Sequence, residues 1–225
     1  MKLAITIPTD LSEIKLSQYQ KFIKIADQNE ESDFIHHKMI EIFCNVELKY
    51  VSQFKRKQIV QIVTTINNLF TKIPAFKNRF TLNGIEYGFI PNLDDISQGE
   101  YMDLDNYIND VADLHRSMAV MFRPIKNKLK DKYTIESYEG SDVYAEKMLD
   151  APLDVVLASR VFFYHLGKEL LKSTLTYLEE NPQIQTILNK HNSANDGDGI
   201  HPFMRLLKEM SGDLMKYPDF RLINV

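Results

Sequence analysis

Apolar residues recur at helical spacing over most of this chain, and they alternate like a strand in one short place. Tyr19, Phe22, Ile23 and Ala26 fall on one face of a helix that Ser17 is placed to cap. Phe34, Ile35, Met39, Ile42 and Phe43 mark a second helix, opened by Asp33. A third, from Gln53 to about Thr71 with Ser52 as its cap, carries Ile59, Val60, Ile62, Val63, Ile66, Leu69 and Phe70, and Pro74 ends the segment. Ahead of these, the β-branched run at residues 3–7 closes at Pro8 and reads as a short edge strand.

The alternation lies at Phe80-Thr81-Leu82 and Ile85-Glu86-Tyr87 around Asn83-Gly84. A two-residue hairpin turn needs positive φ at both central positions, and Asn-Gly supplies it with least strain. Leu104, Tyr107, Ile108, Val111, Leu114, Met118, Met121 and Phe122 then keep helical spacing. They predict one long helix starting near Asp103, with early acids suited to its dipole, and ending before Pro124. Residues 132–137, KYTIES, predict a strand that could join the hairpin in a three-stranded sheet, because a lone hairpin is marginal.

Further on, Gly140-Ser141 opens a helix through Leu149. Asp154 is placed to cap the longest one, which runs to about Glu180. Its stripe, Val155 through Leu178, is broad, and Phe162, Phe163 and Tyr164 cover more than one face, so it is expected to be central and buried. Those three aromatics are the candidate interface residues, since such contacts are anchored by a few aromatic side chains. Short helices are predicted from Pro182 to about Lys190 and from Phe203 to Lys216. The pattern as a whole predicts a mainly α, α+β fold built on a small antiparallel sheet. It fits one domain of 225 residues, with a helical lobe at 1–75, hairpin and long helix at 76–140, and a second helical lobe at 141–225.

Composition changes this picture little. Hydrophobic residues make up 44% and charged residues 26%, as in ordinary globular proteins. A net charge of −4 argues against general nucleic-acid binding, which needs clustered positive charge. The basic runs Lys55-Arg56-Lys57 and Lys126 to Lys132 read as solvated faces. The single cysteine, Cys44, excludes an internal disulfide and sits in an apolar run that would keep its thiol inert. Residues 1–10 are broken too early by Pro8 to resemble a signal peptide, and no stretch approaches the ~20 apolar residues of a membrane span.

Candidate chemistry is sparse. The neighbours His36 and His37 point apart and cannot form a two-histidine metal pair. Asp94-Asp95 diverge likewise, and Asp95 reads as a turn or capping residue. His115 reads as hydrogen-bonded to a nearby carboxylate. The Asn195–Gly199 loop resembles part of a calcium loop but lacks the closing glutamate, because the twelfth position from Asp196 is Leu207; no tight calcium binding is expected. Phosphate-loop, dinucleotide, serine-elbow and paired-cysteine zinc patterns do not occur. No catalytic, cofactor-binding or metal residue is therefore assigned, no cofactor is expected, and Asn83 and Gly84 are assigned a structural role in the turn.

Five blocks carry a resemblance. They are LSQYQKF at 16–22, NGxxYGFIPNL at 83–93, GEYMDL at 99–104, MFRPI at 121–125 and YxxExY at 133–138. Across about residues 11–140 the chain resembles small proteins encoded among the structural and tail genes of Bacteroidetes-infecting tailed phages, including crAss-like phages. That resemblance implies a non-enzymatic virion protein of the tail or portal region, built in or carried as cargo and delivered through the tail. Its partners would be other phage structural proteins (portal, tail or ring subunits), with oligomers in the virion. It would bind no specific nucleic acid and span no membrane. The alternative is a tail-assembly chaperone that stays in the host cytoplasm and out of the particle.

Overall fold

In the computed structural model, which describes residues 5–180, four helices come first: α1 (Leu16–Ala26), α2 (Ser32–Phe43), α3 (Leu48–Val51) and α4 (Arg56–Leu69). α1 packs on α2, and α2 on α4. The predicted apolar faces point inward: Tyr19 and Phe22, then Ile35, Met39, Ile42 and Phe43, then Ile59, Ile62, Val63 and Ile66 are all buried. Aromatic rings join them, with Phe22 and Phe43 5.2 Å apart between centroids and Phe70 stacked 6.1 Å from Tyr19.

The starts of these helices differ from expectation. Residues 5–7 form no strand; residues 3 and 4 of that predicted strand lie outside the described residues. Ser17 does not cap α1. Lys15 holds the cap position, and its N–H donates to Gln18 Oε1 at 2.9 Å. The N–H groups of Leu16 and Ser17 donate instead to the carbonyls of Ala151 and Leu149, so contacts distant in sequence replace a local cap. Asp33 lies in the first turn of α2 behind Glu31. Ser52 closes α3, and α4 starts four residues later with Gln58 accepting from Lys55 N at 3.0 Å.

The sheet has four antiparallel strands in chain order: β1 (Arg79–Leu82), β2 (Ile85–Phe89), β3 (Phe122–Leu129) and β4 (Lys132–Ile135). Asn83 and Gly84 form the β1–β2 turn with φ of 50° and 79°, as the Asn-Gly signal predicts. Gly88 faces Arg123 in the register. A Cβ there would lie 2.8 Å from Tyr133 Cδ2, so the β4 ring packs where a side chain would stand. The Tyr133 hydroxyl also reaches the Phe89 and Asn78 carbonyls, at 2.9 and 3.0 Å.

The predicted long helix is two helices followed by a strand. α5 spans Gln98–Tyr107 and α6 spans Leu114–Met121, with a 3-10 turn at Val111–Asp113 between them. Asp110 makes the break by accepting from Ala112 N at 2.8 Å. α5 begins earlier than Asp103 because Ser97 and Glu100 form a reciprocal capping pair. Pro124 ends no helix. It lies inside β3, which starts at Phe122, and its carbonyl accepts from Glu136 N at 3.0 Å. The predicted KYTIES strand pairs with β3, making a fourth strand where three were expected.

α7 (Asp142–Met148) follows Gly140, whose φ is 103°. α8 then runs Leu153–Glu180. Asp154 is in its first turn and accepts from Lys77 Nζ at 2.5 Å. Leu153, Val155, Val156, Leu157 and Ala158 are buried. The described residues through Ser159 form one compact unit, and α8 from Arg160 onward belongs to a second. The fold is α+β and mainly helical, as the pattern predicts, with eight α-helices among the described residues.

Candidate functional site

A buried polar cluster lies where α5 meets the start of β3. Arg123 is buried, and its Nη1 stands 2.5 Å from Glu100 Oε1, with both side chains only 7% exposed. The other carboxylate oxygen of Glu100 accepts from the Ser97 hydroxyl at 2.6 Å and the Ser97 N–H at 2.8 Å. One carboxylate thus closes the N-terminus of α5 and neutralises the arginine of β3. Burial by itself would raise the Glu100 pKa. The Ser97 hydrogen bonds, and then Arg123, outweigh it and hold the carboxyl below its ordinary value.

Tyrosines close the cluster. The Tyr138 ring lies 5.4 Å from the Arg123 guanidinium, within cation–π range. The Tyr138 hydroxyl donates to Asp103 of α5. Burial first, and then the Asp103 carboxylate, push this phenol far above its ordinary pKa. Tyr144 of α7 donates to Glu136, and burial with that carboxylate raises its pKa to about 12. Beside them is a pocket of about 230 Å³, lined by Arg123, Lys126, Glu136, Glu139, Val143 and Tyr144 among others. Arg123 Nε is buried without an acceptor. The pocket therefore presents both signs of charge around an arginine already neutralised by Glu100.

None of these residues stands out as chemistry in the sequence, because they come from four separate segments. A local signal did exist for one of them: Ser97 three residues before Glu100 is a capping-box spacing. The blocks at 99–104, 121–125 and 133–138 supply Glu100 and Asp103, Arg123, and Glu136 and Tyr138, and the fold brings all three together.

The residues singled out by sequence are scattered. His37 Nδ1 lies 2.7 Å from the Asp33 carbonyl. His115 faces the Gln20 amide at 3.2 Å where a carboxylate was expected, because α6 packs its side chain towards α1. Asp95 accepts from Asn92 at 2.6 Å in a 3-10 turn, as its reading as a turn residue predicts. Cys44 is buried at the end of α2, and burial pushes its thiol up to about 11. Phe162 and Phe163 meet edge to face at 5.4 Å on α8, half-buried together with Tyr164, so the helix is not buried along this stretch as expected. The Asn195–Gly199 loop and the helices predicted after Pro182 lie outside the described residues. Among the described residues no group of three metal-ligating side chains converges, and no helix is long and apolar enough to cross a membrane.

Comparison of the chain with protein-family models, with curated proteins and with solved structures finds no match.

Proposed function

We propose that this protein is a non-enzymatic component of a tailed-phage particle, placed in the tail or portal region or carried as cargo, where it acts by binding other structural subunits. The observation that carries the reading is how the central polar cluster is used. Glu100 is held by Arg123 and Ser97, Asp103 by Tyr138, and Glu136 by Tyr144, so these groups bind one another and lock α5, β3, the segment after β4, and α7. Tyr144, with a pKa of about 12, stays protonated at neutral pH and is a poor base. The resemblance of the blocks at 16–138 to phage structural and tail-region proteins supplies the class, and three of those blocks furnish the cluster.

Quantitative mass spectrometry of gradient-purified virions against infected-cell lysate tests this. The expected result is a defined copy number per particle. Abundance in lysate with none in particles would overturn it in favour of a tail-assembly chaperone.

A further inference from the structure

We propose that copies of this chain associate head to tail, with the basic β3–β4 hairpin of one copy seated on the outer face of α5 of the next. β2 pairs with β3 only through Tyr87–Phe89 against Phe122–Pro124. Past Pro124, β3 pairs with β4 alone, and every residue from Lys126 to Lys132 is exposed. Tyr133 packing on Gly88 and Lys128 donating to Glu86 at 2.8 Å hold the base of this ribbon to β2, while among the described residues its tip at Leu129 to Lys132 has no strand beside it other than its own partner. Its tip carries Leu129, 77% exposed, among Lys126, Lys130 and Lys132, with Asp131 in the turn and Lys128 already paired to Glu86. Lysines are common guards of exposed strands, but an exposed leucine between them works against that purpose.

The chain carries a matching surface. Tyr101 and Met102 of α5 are 57% and 54% exposed, and with Asp105 they share one helical face. Asp94 and Asp95, both exposed, lie just before this helix. An apolar pair with Asp105 on its face, and Asp94 ahead of the helix, complements a leucine among lysines, and Tyr and Met are residue types enriched in interface cores.

The two surfaces cannot meet within one copy. Glu100 ties α5 to Arg123, and Leu129 lies six residues further along β3, about 20 Å away at strand rise. A contact between two different patches is heterologous, so it propagates from copy to copy and forms a ring or a filament. This inference stands apart from the phage reading, because it uses only surfaces of this chain.

Sedimentation velocity on the purified full chain, at low and at high salt, tests it. Low salt should give concentration-dependent species larger than a monomer, and high salt should dissolve them. Reversing the arm (Lys126→Glu, Lys130→Glu, Lys132→Glu) or the helix face (Asp94→Lys, Asp105→Lys) should each weaken association by about tenfold or more. Circular dichroism confirms that each variant is folded; if one is not, Leu129→Asp or Met102→Lys replaces it. Mixing the two charge-reversed variants should restore assembly beyond a dimer, since the intact arm meets the intact face and the two reversed surfaces are again of opposite charge. A chain that stays monomeric at low salt, or assembly that charge reversal leaves unchanged, overturns the proposal.

Discussion

Glu100 shows most directly how one side chain can hold several elements. A buried ion pair adds little net stability, but removing one partner strands a charge away from water, which costs about 3 kcal/mol or more. Glu100→Ala should therefore destabilise strongly in urea denaturation, and Arg123→Met with Glu100→Leu should recover much of the loss. The sign of the pH dependence follows from the depressed pKa of Glu100. Its contribution is fully present above the unfolded value near ~4.3 and is lost as pH falls through the lower folded value. Glu100→Gln should flatten that acid limb of a stability–pH curve. A second residue, Gly88, is required by its neighbour: Gly88→Ala should cost about 1–3 kcal/mol, and much less in a Tyr133→Ala background, where no ring stands in the way.

At the scale of elements, the two hairpins differ in how well their turns suit them. The Asn83-Gly84 turn uses residues that tolerate positive φ, so Gly84→Val should lower stability by about 1 kcal/mol or more. The β3–β4 turn places Lys130 at φ 56° without that tolerance. Lys130→Gly should raise the melting temperature, because it relieves about 1 kcal/mol of backbone strain. Thermal melts of both variants by circular dichroism check the pair, and the signs should be opposite.

For the whole molecule, Cys44 serves as a reporter. It is buried against the helices of the N-terminal half, its thiol is pushed up to about 11, and it is the chain's single cysteine. At neutral pH the native protein should react with iodoacetamide only through opening, because the thiolate is the nucleophile. Labelling measured along a urea series should follow the loss of helix signal if the unit containing Cys44 opens as a whole. Fast labelling without urea would show that α2 opens locally.

How far each feature can be read from the sequence depends on the range of the interactions that make it. The β1–β2 turn is settled by two adjacent residues, and the inward faces of α1, α2 and α4 by 3.6-residue spacing, so both are visible along the chain. The long helix predicted from Asp103 to the residue before Pro124 fails for a tertiary reason. Met118 to Phe122 is apolar at every position and carries no period, and pairing with β2 draws Phe122 and Arg123 into a strand that continues past Pro124 beside β4. The start of α1 is likewise decided by the carbonyls of Leu149 and Ala151, over a hundred residues away. The Arg123 cluster belongs to the same class. Glu100 and Asp103 lie in a polar stretch that reads as surface while Arg123 follows an apolar run, and only the meeting of α5 with the start of β3 buries Glu100 and Arg123 together, so that each must find a partner.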